Sequence, residues 1–525
     1  MSLPKVTIYD TTLRDGSQGE GISFSSRDKI RVAEKLDEFG IDYIEGGWPG
    51  SNPKDVEFFQ MAKDLDWKNA KIAAFGSTRR AGVKVEEDPQ IQMLLDASTP
   101  VVTYFGKSWK LHVEEVLKTT VAENQAMIRD TARYLKEKGK EVIYDAEHFF
   151  DGYADDPEHA LATLEAAKEG GADMLVLCDT NGGRLPSEVA AITEVVFKKL
   201  GIPVGIHTHD DSGLGVANAL ASVEAGSTQV QGTINGYGER TGNCNLTSVM
   251  PILQLKMGRE VVPHLDRLTK LAHFIDELAN QVPSSRAPFI GCSAFAHKGG
   301  MHVNAVQKIA HSYEHIKPET VGNQQVILVS ELSGQSNVLL KAAQFGLPME
   351  KGDPEAATIL KETKQLENDG YEFEHADASF ELLMRRTLSR HQSFFTLLEY
   401  HSTFRTNHST GYEVCEATVK LEVNDESVYT VAEGDGPVDA LDGALRKALE
   451  PAFPHLDKVH LTDYRVRIID GRNATAAKTR VLIDLTDGIN DWTTVGVSTN
   501  IIGASWEALV DGYEYFLARE ARHIA

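Results

Sequence analysis

Two histidines and one aspartate stand where they could bind a metal ion. His207 and His209 are two residues apart in the run PVGIHTHD, and Asp15 follows an apolar run that begins at Val6. Side chains two residues apart on a strand point to the same face, so the two imidazoles would converge. Two histidines and one carboxylate are a common ligand set for a divalent ion and leave positions open for a substrate. The alternative interpretation is a pair of structural histidines.

Charged residues beside these positions could supply the rest of a reaction. Arg14 could stabilise a developing oxyanion, or it could form a structural salt bridge. Glu147 ends the run EVIYDAE and could transfer a proton. A loop cap or an ion pair with Arg14 would also explain Glu147.

A glycine-rich segment further along the chain carries two more histidines. His297 and His302 lie in SAFAHKGGMHVNAV, where a histidine could fold over an active site as a general acid or base. The alternative is a histidine in a solvated loop. Lys107 and Lys298 are candidate partners for the phosphates of an anionic ligand, although isolated lysines are usually surface residues.

Eight short apolar runs could form the strands that position these residues. They begin at Val6, Tyr43, Lys71, Val101, Glu141, Met174, Pro203 and Gln229. Their spacing of about 26–40 residues is that of one βα unit, so an α/β fold with a (β/α)₈ TIM barrel is predicted over residues 1–275. The candidate catalytic residues then fall at the C-terminal ends of strands. The alternative is an open doubly wound sheet, although the chain carries no GxGxxG dinucleotide fingerprint.

The chain beyond the predicted barrel changes character twice. Residues 276–392 are predicted to form linker subdomains, first loop-rich and then helical. Residues 393–525 contain an internal repeat: ATVKLEV and SVYTV precede the helix PVDALDGALRKAL, and KTRVLIDL and WTTVGV precede SWEALVDGYEYFL. This ββα repeat predicts a small C-terminal α+β domain. The repeat has no acid/base cluster of its own, which favours a regulatory and dimerising role.

Composition limits the partners of the chain. The 525 residues carry a net charge of −24, which argues against binding nucleic acid or an anionic membrane surface. The sequence begins without an apolar run of signal length, and no run approaches the roughly 20 apolar residues of a membrane span. The four cysteines form no CxxC pair, so a reducing, cytoplasmic setting is expected.

Four motifs connect these observations to a known family. In chain order they are DTTLRDGSQ, HTHDDSGLGVANALASVEAG, NGYGERTGNCNL and AFAHKGGMHVNAV. Together they resemble the α-isopropylmalate/homocitrate/citramalate synthase family, and the resemblance extends over almost the whole chain. It implies a Claisen condensation of acetyl-CoA with a small α-keto acid, followed by thioester hydrolysis. It also implies a divalent metal ion, which would be Mg, Mn, Zn or Co.

The resemblance implies roles for individual residues. The metal ligands would be Asp15, His207, His209 and Asn243. The catalytic residues would be Arg14, Glu147, His302 and Tyr313. Thr180 would bind the carboxylate of the keto acid.

Two pocket positions, Val102 and Asp145, depart from other members of the family, and Phe75 would be the third wall. Phe75, Val102 and Asp145 would line the keto-acid pocket, and an apolar, narrow pocket suits pyruvate. The segments YIEGGWPGSNPKD and FGKSWKLHV also resemble the long bacterial members that accept pyruvate. The alternative acceptor is 2-ketoisovalerate, in leucine biosynthesis. For a pyruvate enzyme the resemblance implies isoleucine biosynthesis, an isoleucine effector and a homodimer.

Two other classes of protein are alternatives to this interpretation. Hydroxymethylglutaryl-CoA lyase shares a similar barrel and metal site, but it lacks a long C-terminal domain. A non-catalytic metabolite sensor would not need the complete set of charged residues described above.

Overall fold

The chain forms two compact units. The computed structural model describes residues 5–299, 305, 309, 312–329, 334–409, 411–469 and 477–524. The first unit contains residues up to 295 together with 316–324, and the second contains residues 296–315 together with those from 325 onwards. His302 lies outside the described residues.

The first unit is built on a closed parallel barrel. Its strands are β1 (Thr7–Asp10), β2 (Tyr43–Gly47), β3 (Lys71–Ser77), β4 (Val101–Lys107), β5 (Glu141–Glu147), β6 (Met174–Asp179), β7 (Val204–Thr208) and β8 (Gln229–Gly232). They pair in chain order, and β8 closes the barrel on β1. The predicted (β/α)₈ barrel is confirmed, and every strand begins within one residue of the start of a predicted run.

Helices cover the outside of the barrel. They are α1 (Ser26–Phe39), α2 (Pro53–Ala62), α3 (Pro89–Asp96), α4 (Val121–Glu137), α5 (Phe149–Asp155), α6 (Pro157–Glu169), α7 (Pro186–Leu200), α8 (Gly215–Glu224), α9 (Leu246–Pro251) and α10 (Leu268–Leu278). The boundaries of α1 follow from its sequence. The side chain of Ser25 accepts a hydrogen bond from the backbone N–H of Asp28, and Gly40 ends the helix in the left-handed region, which glycine adopts readily.

Alternation along β4 decides which residues face the barrel interior. Val101 belongs to the small apolar cluster inside the barrel, whereas Val102 belongs to the larger core between strands and helices. Tyr104 shares the face of Val102 and donates a hydrogen bond to the backbone carbonyl of Ile128 on α4 at 3.1 Å. The prediction that Val102 lines the keto-acid pocket is therefore wrong. A shift of one residue along a strand moves a side chain to the opposite face.

Among the described residues, the second unit begins with two short strands and three helices. These are β9 (Ala296–His297), β10 (Val326–Ile327), α11 (Gln335–Gln344), α12 (Pro354–Asp369) and α13 (Asp377–Thr387). Helix α11 lies at the end of a segment expected to be irregular. In the described part of the chain, no helix is both long enough and apolar enough to cross a membrane.

The C-terminal part contains the predicted repeat with one strand more in each half. The first half is β11 (Thr396–Asn407), β12 (Tyr412–Val423), β13 (Glu426–Gly434) and α14 (Pro437–Leu449), and the second is β14 (His460–Ile468), β15 (Thr479–Thr486), β16 (Asp491–Ser498) and α15 (Ile501–Ile524). Each half is an antiparallel three-stranded sheet followed by a helix. The repeat is thus βββα and not ββα. The missed strand β14 is exposed at nearly every position. The alternation of Tyr464, Val466 and Ile468 with two arginines was the available signal for this strand.

Candidate active site

The predicted metal-binding residues meet at the C-terminal end of the barrel. His207 lies on β7, His209 follows the end of that strand, and Asp15 lies in the turn after β1. Nε2 of His207 is 3.2 Å from Nε2 of His209 and 3.3 Å from Oδ2 of Asp15. All three side chains are buried, and their ligand atoms lie within 4.8 Å of one another. Two imidazole nitrogens facing one buried carboxylate fit a divalent cation.

Asn243, the fourth predicted ligand, lies beside His209. The two residues form an isolated backbone bridge, and the amide nitrogen of Asn243 donates to the carbonyl of Tyr237 at 3.1 Å. Its Oδ1 atom is buried and has no hydrogen-bond partner among the described residues. Gly238 makes room for this arrangement, because a Cβ atom there would lie 2.1 Å from Asn243 Nδ2. An unpaired buried carbonyl oxygen is costly and would be satisfied by a bound cation.

Electrostatics keep Asp15 and His209 in the form that binds metal. Burial opposes the charge on Asp15, but Arg14 and His207 outweigh burial and hold the pKa of Asp15 well below its usual range. Burial and the neighbouring His207 lower the pKa of His209 to about 3. Burial also disfavours a charged His207, but Asp15 outweighs it and raises the pKa of His207. Metal binding at His207 would therefore displace a proton shared with Asp15.

Arg14 is fixed by a carboxylate that the sequence did not single out. Its Nε donates to Oε1 of Glu45 at 2.6 Å, and its Nη1 lies 3.5 Å from Oδ1 of Asp15. Glu45 is fully buried and also accepts hydrogen bonds from the hydroxyls of Tyr9 at 2.5 Å and Thr11 at 2.9 Å. The available signal was an acid inside the otherwise buried strand β2, because a buried acid is almost always paired.

Aromatic side chains form one wall beside Arg14. The ring of Phe75 stacks on the guanidinium of Arg14, with 3.8 Å between Cζ and the ring centre. Phe105 stacks on Phe75 at 5.5 Å, and Trp48 contacts both rings edge-on. Phe75 was predicted to line the pocket, whereas Trp48 and Phe105 were not. An apolar wall next to a fixed guanidinium can hold a small anion with an apolar substituent.

Glu147 and Lys107 form an ion pair at the ends of β5 and β4. Glu147 is therefore paired with Lys107 and not with Arg14. Lys107 has this carboxylate as its partner where a ligand phosphate was expected. Thr180 follows β6, and its hydroxyl oxygen accepts a hydrogen bond from the backbone N–H of His148 at 2.9 Å. Its hydroxyl hydrogen can still be donated to a ligand.

Asp145 points into the barrel but is engaged by its neighbours. It accepts a hydrogen bond from Nε2 of Gln231 at 3.1 Å and is nearly inaccessible to solvent. Burial raises the pKa of Asp145 to about 7.

Several candidates belong to the second unit. His297 pairs with Glu314, with 3.2 Å between Nε2 and Oε1, and Lys298 forms an ion pair with Glu374. Tyr313 is exposed. The described residues therefore give His297 and Lys298 structural partners of their own.

Comparison with known families defines the class of this barrel. A family model described as HMGL-like matches residues 5–275, a homocitrate synthase post-HMGL domain-like model matches 289–370, and a LeuA allosteric (dimerisation) domain model matches 374–517. The barrel and its buried cluster of two histidines and one aspartate are thus those of an HMGL-like enzyme.

Full-length relatives identify the family more narrowly. The chain is 54% identical over 519 residues to (R)-citramalate synthase of Aquifex aeolicus and 52% identical over 519 residues to that of Geobacter sulfurreducens, with 98% of each chain covered. Identity to 2-isopropylmalate synthase of Methanocaldococcus jannaschii is 30% over 521 residues, covering 99% of this chain and 96% of that one. The chain belongs to the (R)-citramalate synthase family of acyltransferases.

The buried cluster predicts how the protein handles metal. His207→Ala and His209→Ala should each weaken divalent-metal binding by more than about 100-fold, since removing even an outer partner of a ligand costs about 10–100-fold. The measurement is the metal retained after equilibrium dialysis against Co²⁺ at fixed free concentration.

His159→Ala is the matched control, because His159 is also buried but lies on α6 and its ring nitrogens have no hydrogen-bond partner among the described residues. Retention of metal by His207→Ala or His209→Ala at the level of this control would refute the assignment.

Proposed function

We propose that this enzyme condenses acetyl-CoA with pyruvate to give (R)-citramalate and CoA, in isoleucine biosynthesis. The observation that carries the proposal is the buried cluster of Asp15, His207 and His209 in a chain that matches (R)-citramalate synthases along its whole length. The more distant relation to 2-isopropylmalate synthase makes 2-ketoisovalerate the second candidate acceptor. The LeuA-type match at 374–517 argues against a lyase.

Asp15, His207, His209 and Asn243 would hold the divalent ion. When bound, such an ion supplies Lewis-acid polarisation of a ketone oxygen. The buried triad and the unpaired oxygen of Asn243 support this ligand set.

Arg14 is proposed to contact the reacting oxygens. Glu45 and Phe75 fix its guanidinium from two sides, so the group is preorganised for charge that develops on the ketone oxygen. The hydroxyl of Thr180 would donate to the keto-acid carboxylate. Preorganised donors of this kind need no rearrangement during the reaction.

Glu147, His302 and Tyr313 are proposed to carry the acid/base steps. A base removes one proton from the acetyl methyl group, and the resulting carbanion forms a C–C bond with the ketone carbon of pyruvate. The ketone oxygen becomes an alkoxide and takes up a proton. Water then attacks the thioester, whose C–S bond breaks to release a carboxylate and the CoA thiol. Proton transfer by a positioned side chain contributes typically 10²–10⁴-fold.

The domain organisation supports regulation by a second site. We propose a catalytic barrel over 1–275, linker subdomains over 276–392 and a regulatory, dimerising domain over 393–525, in line with the three matched families. Exposed apolar side chains lie on the outer strands of the C-terminal sheets, among them Phe404, Tyr429, Val466 and Ile468. They would be covered in a homodimer. The four unpaired cysteines are typical of a reducing cytoplasm.

A panel of keto acids tests the proposed acceptor. Pyruvate should exceed 2-ketoisovalerate in kcat/KM by at least about tenfold, because each extra methylene that does not fit costs about 1–3 kcal/mol. The measurement is release of the CoA thiol from acetyl-CoA. Equal or better use of 2-ketoisovalerate would contradict the pyruvate assignment.

Two variants locate the pocket within the same assay. Phe75→Ala should reduce the ratio of kcat/KM for pyruvate to that for 2-ketoisovalerate by about tenfold, because the ring of Phe75 forms the apolar wall beside Arg14. Val102→Ala is the matched control: it removes an apolar side chain from the outer face of the neighbouring strand and should leave the preference unchanged. A change caused by Val102→Ala alone would place the pocket elsewhere.

Titration with isoleucine tests the proposed regulation. The intact enzyme should lose activity at millimolar isoleucine, since an effector must bind one state better than another by a coupling of typically 1–3 kcal/mol. Intact protein is required because Asp511 on α15 bonds Ser379 and Arg386 on α13, so that truncation before β11 would expose a buried face. Unchanged activity at millimolar isoleucine would leave only a structural dimerisation role.

A further inference from the structure

Three buried side chains form a line of hydrogen bonds behind the metal-binding cluster. Nδ1 of His207 lies 3.0 Å from Oε1 of Gln231, and Nε2 of Gln231 lies 3.1 Å from Oδ1 of Asp145. His207 and Gln231 are paired residues on the neighbouring strands β7 and β8, whereas Asp145 lies on β5. All three have relative accessibilities of 5% or less. The line therefore crosses the barrel interior.

The chemistry of the three groups fixes the proton on His207. The amide oxygen of Gln231 can only accept, so Nδ1 of His207 must donate. A neutral imidazole has one N–H, and Nε2 is then left with its lone pair. This is the atom that faces Asp15 and His209.

Asp145 determines which end of the Gln231 amide faces the histidine. The oxygen and nitrogen ends of an amide have almost the same shape, so packing alone does not distinguish them. In its ionised form, Asp145 accepts hydrogen bonds and cannot donate them. Asp145 therefore attracts the amide nitrogen and turns the oxygen towards His207.

We propose that Gln231 and Asp145 are positioning residues that orient the ring of His207, with its Nδ1–H donated to Gln231 and its Nε2 directed to the divalent ion. This inference rests on the proposed metal site. Gln231 holds the ring without adding charge. A carboxylate at the same place would also hold the ring, but it would add a negative charge and raise the basicity of His207.

The barrel contains a natural comparison for Gln231. Gln229 lies two residues earlier on β8 and faces the same interior, and it is fully buried. Neither of its amide atoms has a hydrogen-bond partner among the described residues. Gln229 therefore matches Gln231 in residue type, strand and burial but does not contact His207.

The test is the affinity of the full-length, metal-stripped enzyme for Co²⁺ at pH 8, measured by equilibrium dialysis. Gln231→Leu should weaken binding by about 10–100-fold, the usual cost of losing the outer partner of a histidine ligand. Asp145→Leu should weaken binding in the same direction by freeing the amide to turn. Gln229→Leu should stay within about threefold of the wild type. Should Gln231→Leu fail to fold, Gln231→Met keeps the length of the side chain and removes the same hydrogen bond.

A second readout separates positioning from general stability. In ¹⁵N-histidine NMR spectra of the metal-free protein, the protected Nδ1–H signal of His207 should be present in the wild type and in Gln229→Leu. It should be absent in Gln231→Leu. Wild-type affinity for Co²⁺ in Gln231→Leu, or the same signal in that variant, would overturn the proposal.

His207→Ala separates this inference from the proposed function. If His207→Ala loses Co²⁺ affinity while Gln231→Leu retains it, only the positioning role is refuted. If His207→Ala itself binds Co²⁺ as tightly as the wild type does, the metal site and the positioning role are both refuted.

Discussion

The convergence of Asp15, His207 and His209 is the constraint on which the site depends. Three polar side chains are buried within 4.8 Å of one another, an arrangement that is costly unless a partner satisfies it. Barrel closure makes it possible, because β8 brings the loop after β1 next to the residues that follow β7. The helices and the apolar core hold this geometry from outside.

The buried carboxylates Asp15, Glu45 and Asp145 inside the barrel each contact a hydrogen-bond donor. Arg14 lies between Glu45 and Asp15, and Gln231 connects His207 to Asp145 without adding charge. Each buried carboxylate therefore has a donor. Hydrogen bonds of this kind hold these side chains in a single arrangement, which is what differential stabilisation of a transition state requires.

The fold and the metal cluster could be predicted from the sequence because both leave local patterns in it. The eight strands were continuous apolar runs, and the spacing of His207 and His209 placed two imidazoles on one face of a strand. The acid inside the buried run of β2 indicated that Glu45 is paired, but its partner Arg14 is 31 positions away in sequence, so no local pattern could name that partner. Val102 was misplaced because counting along β4 without knowing which side chains face inward can select the wrong face. Strand β11 carries no regular apolar alternation, whereas Tyr464, Val466 and Ile468 of β14 do alternate with polar residues and could have revealed that strand.

Anomalous diffraction from crystals of the intact protein grown with Co²⁺ tests the central claim most directly. Data collected on both sides of the cobalt absorption edge locate the ion without reference to activity. The account predicts one strong anomalous peak between the Asp15 carboxylate and Nε2 of both His207 and His209, facing Oδ1 of Asn243. Crystals that contain stoichiometric cobalt but show no peak at this position would contradict it.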